Sequence, residues 1–177
     1  ALGGNTPLVR LSPHLYAKLE TYNFSGSIKD RIINFIISRA VNEGLITIDS
    51  TLIEATSGNT GISLAAHGAA MGLKVKIIMP SNMSEERKAL MKLYGAEIIE
   101  VGPSDFAAAI ELRDSMLSSD KSLWSPLQFQ NSDNILCHRL FLAYEIFSQL
   151  PSGAKWDAFV SGAGTGGTIM GVKSFLS

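Results

Sequence analysis

Lys29 sits in Ser25-Gly26-Ser27-Ile28-Lys29-Asp30-Arg31, and its chemistry depends on where it falls in a helix. Ser27 suits an N-cap, which places the amine in the first helical turn, against the positive end of the helix dipole. The dipole opposes a cation there by about 0.3–1 kcal/mol. One reading is a solvated lysine balanced by Asp30. The other is an amine whose pKa is lowered by dipole and burial, making it a better nucleophile for a carbonyl. A second loop, Thr56-Ser57-Gly58-Asn59-Thr60-Gly61, gathers hydroxyls, an amide and free backbone donors between a strand and a helix. It could hold a carboxylate or a phenolic oxygen, or simply cap the helix that follows.

The third loop is Gly162-Ala163-Gly164-Thr165-Gly166-Gly167-Thr168, ahead of a helix over Ile169–Leu176. Glycines let the backbone approach an anion closely, and the helix N-terminus offers free N–H groups and a positive dipole end. Thr165 and Thr168 add hydroxyls, so a phosphate fits. The same residues match the dinucleotide pattern G-x-G-x-x-G, whose acidic ribose ligand would stand about 20 residues further on, past Ser177. Taken together, a reactive lysine and a phosphate loop are the pairing that pyridoxal phosphate requires, one group for its aldehyde and one for its phosphate.

These loops need elements to position them. Strand-like runs at Thr51–Ala55, Val75–Met79, Glu97–Val101 and Ala158–Ser161 alternate with stretches of helical apolar spacing. Ile32, Ile33, Ile36, Ala40 and Val41 mark one helix face, stopped at Gly44. Ser84 and Ser104 or Asp105 open two further helices, and the Ala- and Gly-rich stretch Gly61–Met71 suits a helix packed closely on a sheet. Ser132 opens another, carrying Leu136, Leu140, Tyr144 and Phe147. Leu8–Leu11 and Leu15–Leu19 read as a strand pair around Ser12-Pro13. Such alternation predicts right-handed βαβ units, hence an α/β fold: an open, mostly parallel sheet with helices on both faces. A boundary is expected at Gln149–Lys155.

Composition narrows the class. The 177 residues are 46% hydrophobic and 18% charged, with apolar material enough to bury a core. A net charge of −1 argues against a non-specific nucleic-acid binder. Cys137 is the single cysteine, so no internal disulfide forms, and the densest apolar run, Ile32–Ile37, falls far short of a membrane span. A cytoplasmic protein is expected. His14, His67 and His138 lack metal-ligand spacing and read as structural, Cys137 as a buried free thiol, and Trp124, Trp156 and the phenylalanines as core. The chain ends about ten residues into its last helix, with no strand to follow, which suggests a portion of a longer protein.

Four segments in order, Gly4-Asn5-Thr6-Pro7-Leu8-Val9, Gly26–Arg31, Thr56–Gly61 and Gly164–Thr168, resemble one family. It is the cysteine synthase (O-acetylserine sulfhydrylase) and cystathionine β-synthase family of fold-type II pyridoxal-phosphate enzymes. Met79-Pro80 to Met83-Ser84 and Gly95-Ala96-Glu97 fit it too. The resemblance spans the whole chain and matches the N-terminal portion of the family. It implies pyridoxal 5′-phosphate as cofactor, with Lys29 forming the Schiff base and then taking the substrate α-proton. It further implies that Gly164, Thr165, Gly166, Gly167 and Thr168 hold the phosphate and that Asn59 bonds the pyridine hydroxyl. Thr56, Ser57, Gly58, Thr60 and Gln128 would receive the amino-acid carboxylate.

The implied reaction is β-replacement on an activated serine, O-acetylserine or similar, with sulfide or a thiol. The implied layout is N-terminal strands over 1–22 joining a large-domain sheet, a small substrate-closing domain over 23–150, whose part over about 74–119 closes over the substrate, and the start of the cofactor-binding domain over 151–177. A homodimer is implied, with no nucleic acid, membrane or metal, as is inactivity of this portion alone. The sequence departs from the family at Asn23-Phe24-Ser25-Gly26-Ser27, where a proline usually precedes Ser25. It departs again at Asn131-Ser132-Asp133-Asn134-Ile135 and at Phe141-Leu142-Ala143-Tyr144-Glu145-Ile146, both beside the expected substrate cleft. Alternatives are a cystathionine β-synthase-like or diaminopropionate-type synthase, a non-catalytic pyridoxal-phosphate-binding paralogue, and a dinucleotide-binding domain. Ile28 and Thr60 point away from serine or threonine dehydratases.

Overall fold

A computed structural model describes residues 3–154 and 156–177. Its elements, in order, are β1 (Leu8–Ser12), β2 (Leu15–Lys18), α1 (Lys29–Asn42), β3 (Thr51–Ala55), α2 (Asn59–Met71), β4 (Lys74–Pro80), α3 (Glu85–Leu93), β5 (Glu97–Val101), α4 (Phe106–Ser119), β6 (Leu123–Trp124), α5 (Asp133–Cys137), α6 (Tyr144–Gln149) and α7 (Gly167–Leu176). A 3-10 turn covers Glu20–Tyr22, and a π-helical segment, His138–Ala143, joins α5 to α6. The chain forms two compact units, residues 36–127 and residues 1–35 with 128–177.

The unit 36–127 is built on a four-stranded parallel sheet in the order β5-β4-β3-β6. β3 and β4 pair with Leu52 beside Val75 and Ala55 beside Ile78. Successive strand residues point to opposite faces. α2 lies over Leu52 and Val75, where a Cβ on Gly68 would overlap the Val75 side chain. α4 lies over Ile53 and Ile78, which form a core with Ala109. Helices thus cover both faces, as the spacing predicts. The caps are as expected: Ser84 accepts from the Arg87 amide at 3.4 Å and Asp105 from the Ala108 amide at 2.9 Å.

In the other unit β1 and β2 form an antiparallel pair with a bulge between Arg10 and Ser12. The stretch from Asp133 to Gln149 differs from its expected form. The predicted apolar face is not the buried one: Leu140, Tyr144 and Phe147 are exposed, and Asn134, Cys137, His138, Leu142, Ala143 and Ile146 are buried. The π segment widens the turn midway and shifts the register that a 3.6-residue period assumes. The buried face is set by α7, whose Gly167 and Gly171 admit the side chains of Asn134 and His138 at close range. The expected strand Ala158–Ser161 has no ladder partner among the described residues; a lone extended segment cannot satisfy its backbone as a strand does. Phe24, Phe106, Phe129, Phe141 and Phe147 are exposed rather than core. Of the boundary expected at Gln149–Lys155, Lys155 lies outside the described residues. Among those residues, no helix is long and apolar enough to cross a membrane.

Replacing Gly171 by Ala pits two effects against each other. Helix propensity alone would favour Ala by about 1 kcal/mol. However, the added Cβ would lie 2.5 Å from His138 Cβ and 2.7 Å from the Ile135 carbonyl oxygen, and backbone cannot swing aside. Gly171→Ala is expected to destabilise the fold by about 1–3 kcal/mol in urea denaturation. A stabilised variant would contradict this packing.

Candidate functional site

Lys29 is the first residue of α1 and is half-buried. Its amide bonds Ser27 Oγ at 3.2 Å, the start expected for this helix. The turn before it lacks the family's proline, and Asp30 holds it instead. Asp30, fully buried, accepts from the Ser25 amide at 2.5 Å and from Ser25 Oγ at 2.6 Å. The Lys29 ammonium has no ion-pair partner among the described residues, and burial lowers its pKa from the ordinary lysine value.

Two residues on, the Arg31 guanidinium anchors this end of α1. It bonds Glu20 Oε2 at 2.7 Å and Oε1 at 2.8 Å, Glu145 Oε2 at 2.9 Å and Oε1 at 3.0 Å, and Thr6 Oγ1 at 3.1 Å. Glu145 also takes Lys18 and the amides of Asn5 and Thr6, and Cys137 donates its thiol to the Arg31 carbonyl. Burial alone would raise the Glu145 carboxyl; bonds from Arg31, Lys18 and Asn5 outweigh it and hold the pKa at about 2. Glu20 is lowered in the same way, the same opposition of burial and Arg31 deciding the sign. Burial pushes the Cys137 thiol up to about 12, so it is no nucleophile at neutral pH.

The glycine loop lies in the same unit. Gly166, at φ +82°, turns the chain into α7, which opens without a side-chain cap. The Gly167 amide bonds Thr165 Oγ1 at 3.3 Å, and the next first-turn amides are left to an outside acceptor. A Cβ built on Gly164 or Gly166 would meet nothing within 4 Å, so the cradle is open. Thr165 Oγ1 accepts from Asn134 Nδ2 at 2.9 Å, and Thr168 Oγ1 lies 3.3 Å from His138 Nε2. His138 is buried, and desolvation with the charges of Arg31 and Lys29 pushes its pKa down to about 4. Gln128 is buried here too, its carbonyl accepting from Asn134 Nδ2 at 3.0 Å.

Thr56, Ser57, Gly58, Asn59 and Thr60 belong to the unit 36–127. They connect β3 to α2, the carboxyl end of a parallel strand, where such sheets bind ligands. The capping alternative does not hold: Gly58 is the N-cap and no side chain caps the helix. The side chains of Ser57 and Asn59 make no hydrogen bond among the described residues. Thr56 Oγ1 accepts from the Gly58 amide at 3.3 Å, and Thr60 is buried.

The pyridoxal-phosphate dependent enzyme family matches residues 1–177. The chain belongs to that family. The sequence is 41% identical to a cysteine synthase of Flavobacterium sp. over 180 residues, covering 98% of this chain and 58% of that protein. It is 42% identical to a probable cysteine synthase of Bacillus subtilis over 186 residues, again 98% and 58%. A hydrogen sulfide-producing enzyme from Fusobacterium nucleatum superposes with TM-score 0.89 at 42% identity, covering 99% of this chain and 60% of that one. An O-acetylserine dependent cystathionine beta-synthase from Helicobacter pylori gives TM-score 0.89 at 35% identity, with the same coverage. The chain therefore spans about 58% of the length of the curated relatives it matches. The fold-type II α/β expectation and the cofactor of the family stand; a dinucleotide-binding domain is set aside.

The residues present fit that cofactor: an amine without an ion partner, and in the same unit an open glycine cradle at an uncapped helix start. Sequence reasoning missed Glu20, Arg31, Asn134, His138 and Glu145. Only Asn134 and His138 carried a signal, as polar residues four apart in a helical stretch.

Removing Glu145 tests the anchor. A carboxyl whose folded pKa is depressed stabilises above its unfolded value, about 4.3, and loses that stability as pH falls through about 2. Glu145→Gln should cost about 3 kcal/mol at pH 7, because a buried guanidinium loses a partner. The difference from the unsubstituted chain should shrink as pH falls from 4.5 toward 2. A pH-independent difference in denaturation midpoints would contradict this.

Proposed function

We propose that the protein catalyses β-replacement on an activated serine such as O-acetylserine, with sulfide or a thiol as nucleophile. The observation that carries this is the lysine: half-buried, without an ion-pair partner among the described residues, at the first turn of α1, and in the same unit as the open glycine loop. The names of its relatives support the reaction class. They are cysteine synthases, an O-acetylserine dependent cystathionine beta-synthase, and an O-ureido-L-serine synthase at 34% identity.

When bound, the cofactor supplies an electron sink that acidifies the α-proton of an amino acid and loosens its β-substituent. The chain's own residues do the rest. The Gly164–Thr168 loop, with the Thr165 and Thr168 hydroxyls, would bind the phosphate at the positive end of α7. Lys29 would hold the aldehyde, and once the substrate amine has displaced it, its lowered pKa would keep more of the freed amine in the basic form that can take a proton from the substrate α-carbon. The Asn59 amide is free to bond the pyridine hydroxyl. The family resemblance implies that Thr56, Ser57, Gly58, Thr60 and Gln128 would receive the substrate carboxylate. Assembly as a homodimer and a cytoplasmic location belong to the same proposal, supported by the family resemblance.

The test is chemical labelling. Addition of pyridoxal phosphate at pH 8, reduction with borohydride and peptide mass spectrometry should place the label on Lys29 ahead of the exposed lysines, because burial has depressed its pKa. Lys29→Ala should abolish the site-specific label. A label spread over surface lysines, with Lys29 unmodified in folded protein, would overturn the assignment.

A further inference from the structure

Asn134 is 4% exposed, yet its Oδ1 has no hydrogen-bond partner among the described residues. A buried acceptor left unpaired costs about 1–3 kcal/mol and calls for a reason. The reason lies in the other half of the amide. Nδ2 donates both its hydrogens, one to the Gln128 carbonyl at 3.0 Å and one to Thr165 Oγ1 at 2.9 Å. A carbonyl can only accept, so the Gln128 bond fixes which way the amide points. Gly167 lies directly under the side chain, where a Cβ would overlap Oδ1, so the amide is held in place from below.

The consequence falls on Thr165. Its hydroxyl oxygen accepts from Asn134 Nδ2 and, at 3.3 Å, from the Gly167 amide. A hydroxyl has two lone pairs and one proton. With both lone pairs engaged, the proton must be donated elsewhere, and the open space beside Gly164 and Gly166 is where an acceptor can enter. We propose that Asn134 is a positioning residue that turns the Thr165 hydroxyl into a dedicated hydrogen-bond donor for a phosphate monoester, at the cost of its own unpaired oxygen. The proposal rests on the functional reading above. It adds a residue that touches neither phosphate nor substrate.

The experiment compares two aldehydes that differ only in the phosphate. Dissociation constants of the full chain for pyridoxal 5′-phosphate and for pyridoxal are measured by absorbance titration, for the unsubstituted protein, Asn134→Leu, Thr165→Val and the double variant. Leu matches the branching of Asn and Val that of Thr, and circular dichroism checks the fold of each. Asn134→Leu is expected to weaken the phosphate ester about ten- to a hundredfold, the range of a hydrogen bond to a charged group, with less than about a threefold change for pyridoxal. Thr165→Val should do the same, and the double variant should bind no worse than Thr165→Val alone. Should Asn134→Leu not fold, Asn134→Ala, which removes the donor without adding bulk over Gly167, is carried through the same titrations. Equal losses for both aldehydes, or single losses that multiply in the double variant, overturn the proposal while leaving the cofactor assignment in place. An unsubstituted chain that binds neither aldehyde overturns both.

Discussion

The unit that carries Lys29 depends on one buried cation. Arg31 draws Glu20, Glu145 and Thr6 onto a single guanidinium, joining chain segments more than a hundred residues apart. Desolvating these charges is expensive, and an apolar cluster of equal volume could match it in stability. What an apolar cluster could not do is fix direction. The planar fork of Arg31 sets the angle of the first turn of α1, and Lys29 projects from that turn. Lys18 and the amides of Asn5 and Thr6 close around the same Glu145, so the N-terminal segment is tied to α6 by the same charge.

A second constraint acts at α7. Glycines at 166, 167 and 171 serve three different needs. The first supplies a left-handed turn into the helix, the second makes room for the Asn134 amide, and the third lets α5 and its π-helical extension approach the helix backbone. The same close approach carries His138 to Thr168. The start of α7 is therefore held from behind by polar side chains, Asn134 and His138. Burial keeps His138 neutral near pH 7, so its ring adds no charge of its own behind the loop.

Much of this was legible in the residues. β3 has the bounds its apolar run predicts, and the caps at Ser84 and Asp105 fall where short polar residues precede a periodic stretch. The glycine loop and the lysine turn announce themselves because their chemistry is local. The Arg31 network was not legible, since nothing in the spacing of Glu20, Arg31 and Glu145 says that they meet. Nor was the buried face of residues 133–149. Periodicity favours Leu140, Tyr144 and Phe147, but the face that packs is chosen by the glycines of a helix some thirty residues later, and the π segment breaks the period itself. Ala158–Ser161 reads as a strand from composition, yet a strand is defined by its neighbour.

The central claim is that one unit of this chain holds both ends of the cofactor, the aldehyde at Lys29 and the phosphate at Gly164–Thr168. The crystal structure of the protein with pyridoxal phosphate bound tests it most directly. The account predicts a covalent bond from the cofactor to Lys29 Nζ, with phosphate oxygens about 2.7–3.2 Å from the amides at the start of α7 and from Thr165 Oγ1. A phosphate bound away from that loop, or a cofactor carried on another lysine, would contradict it.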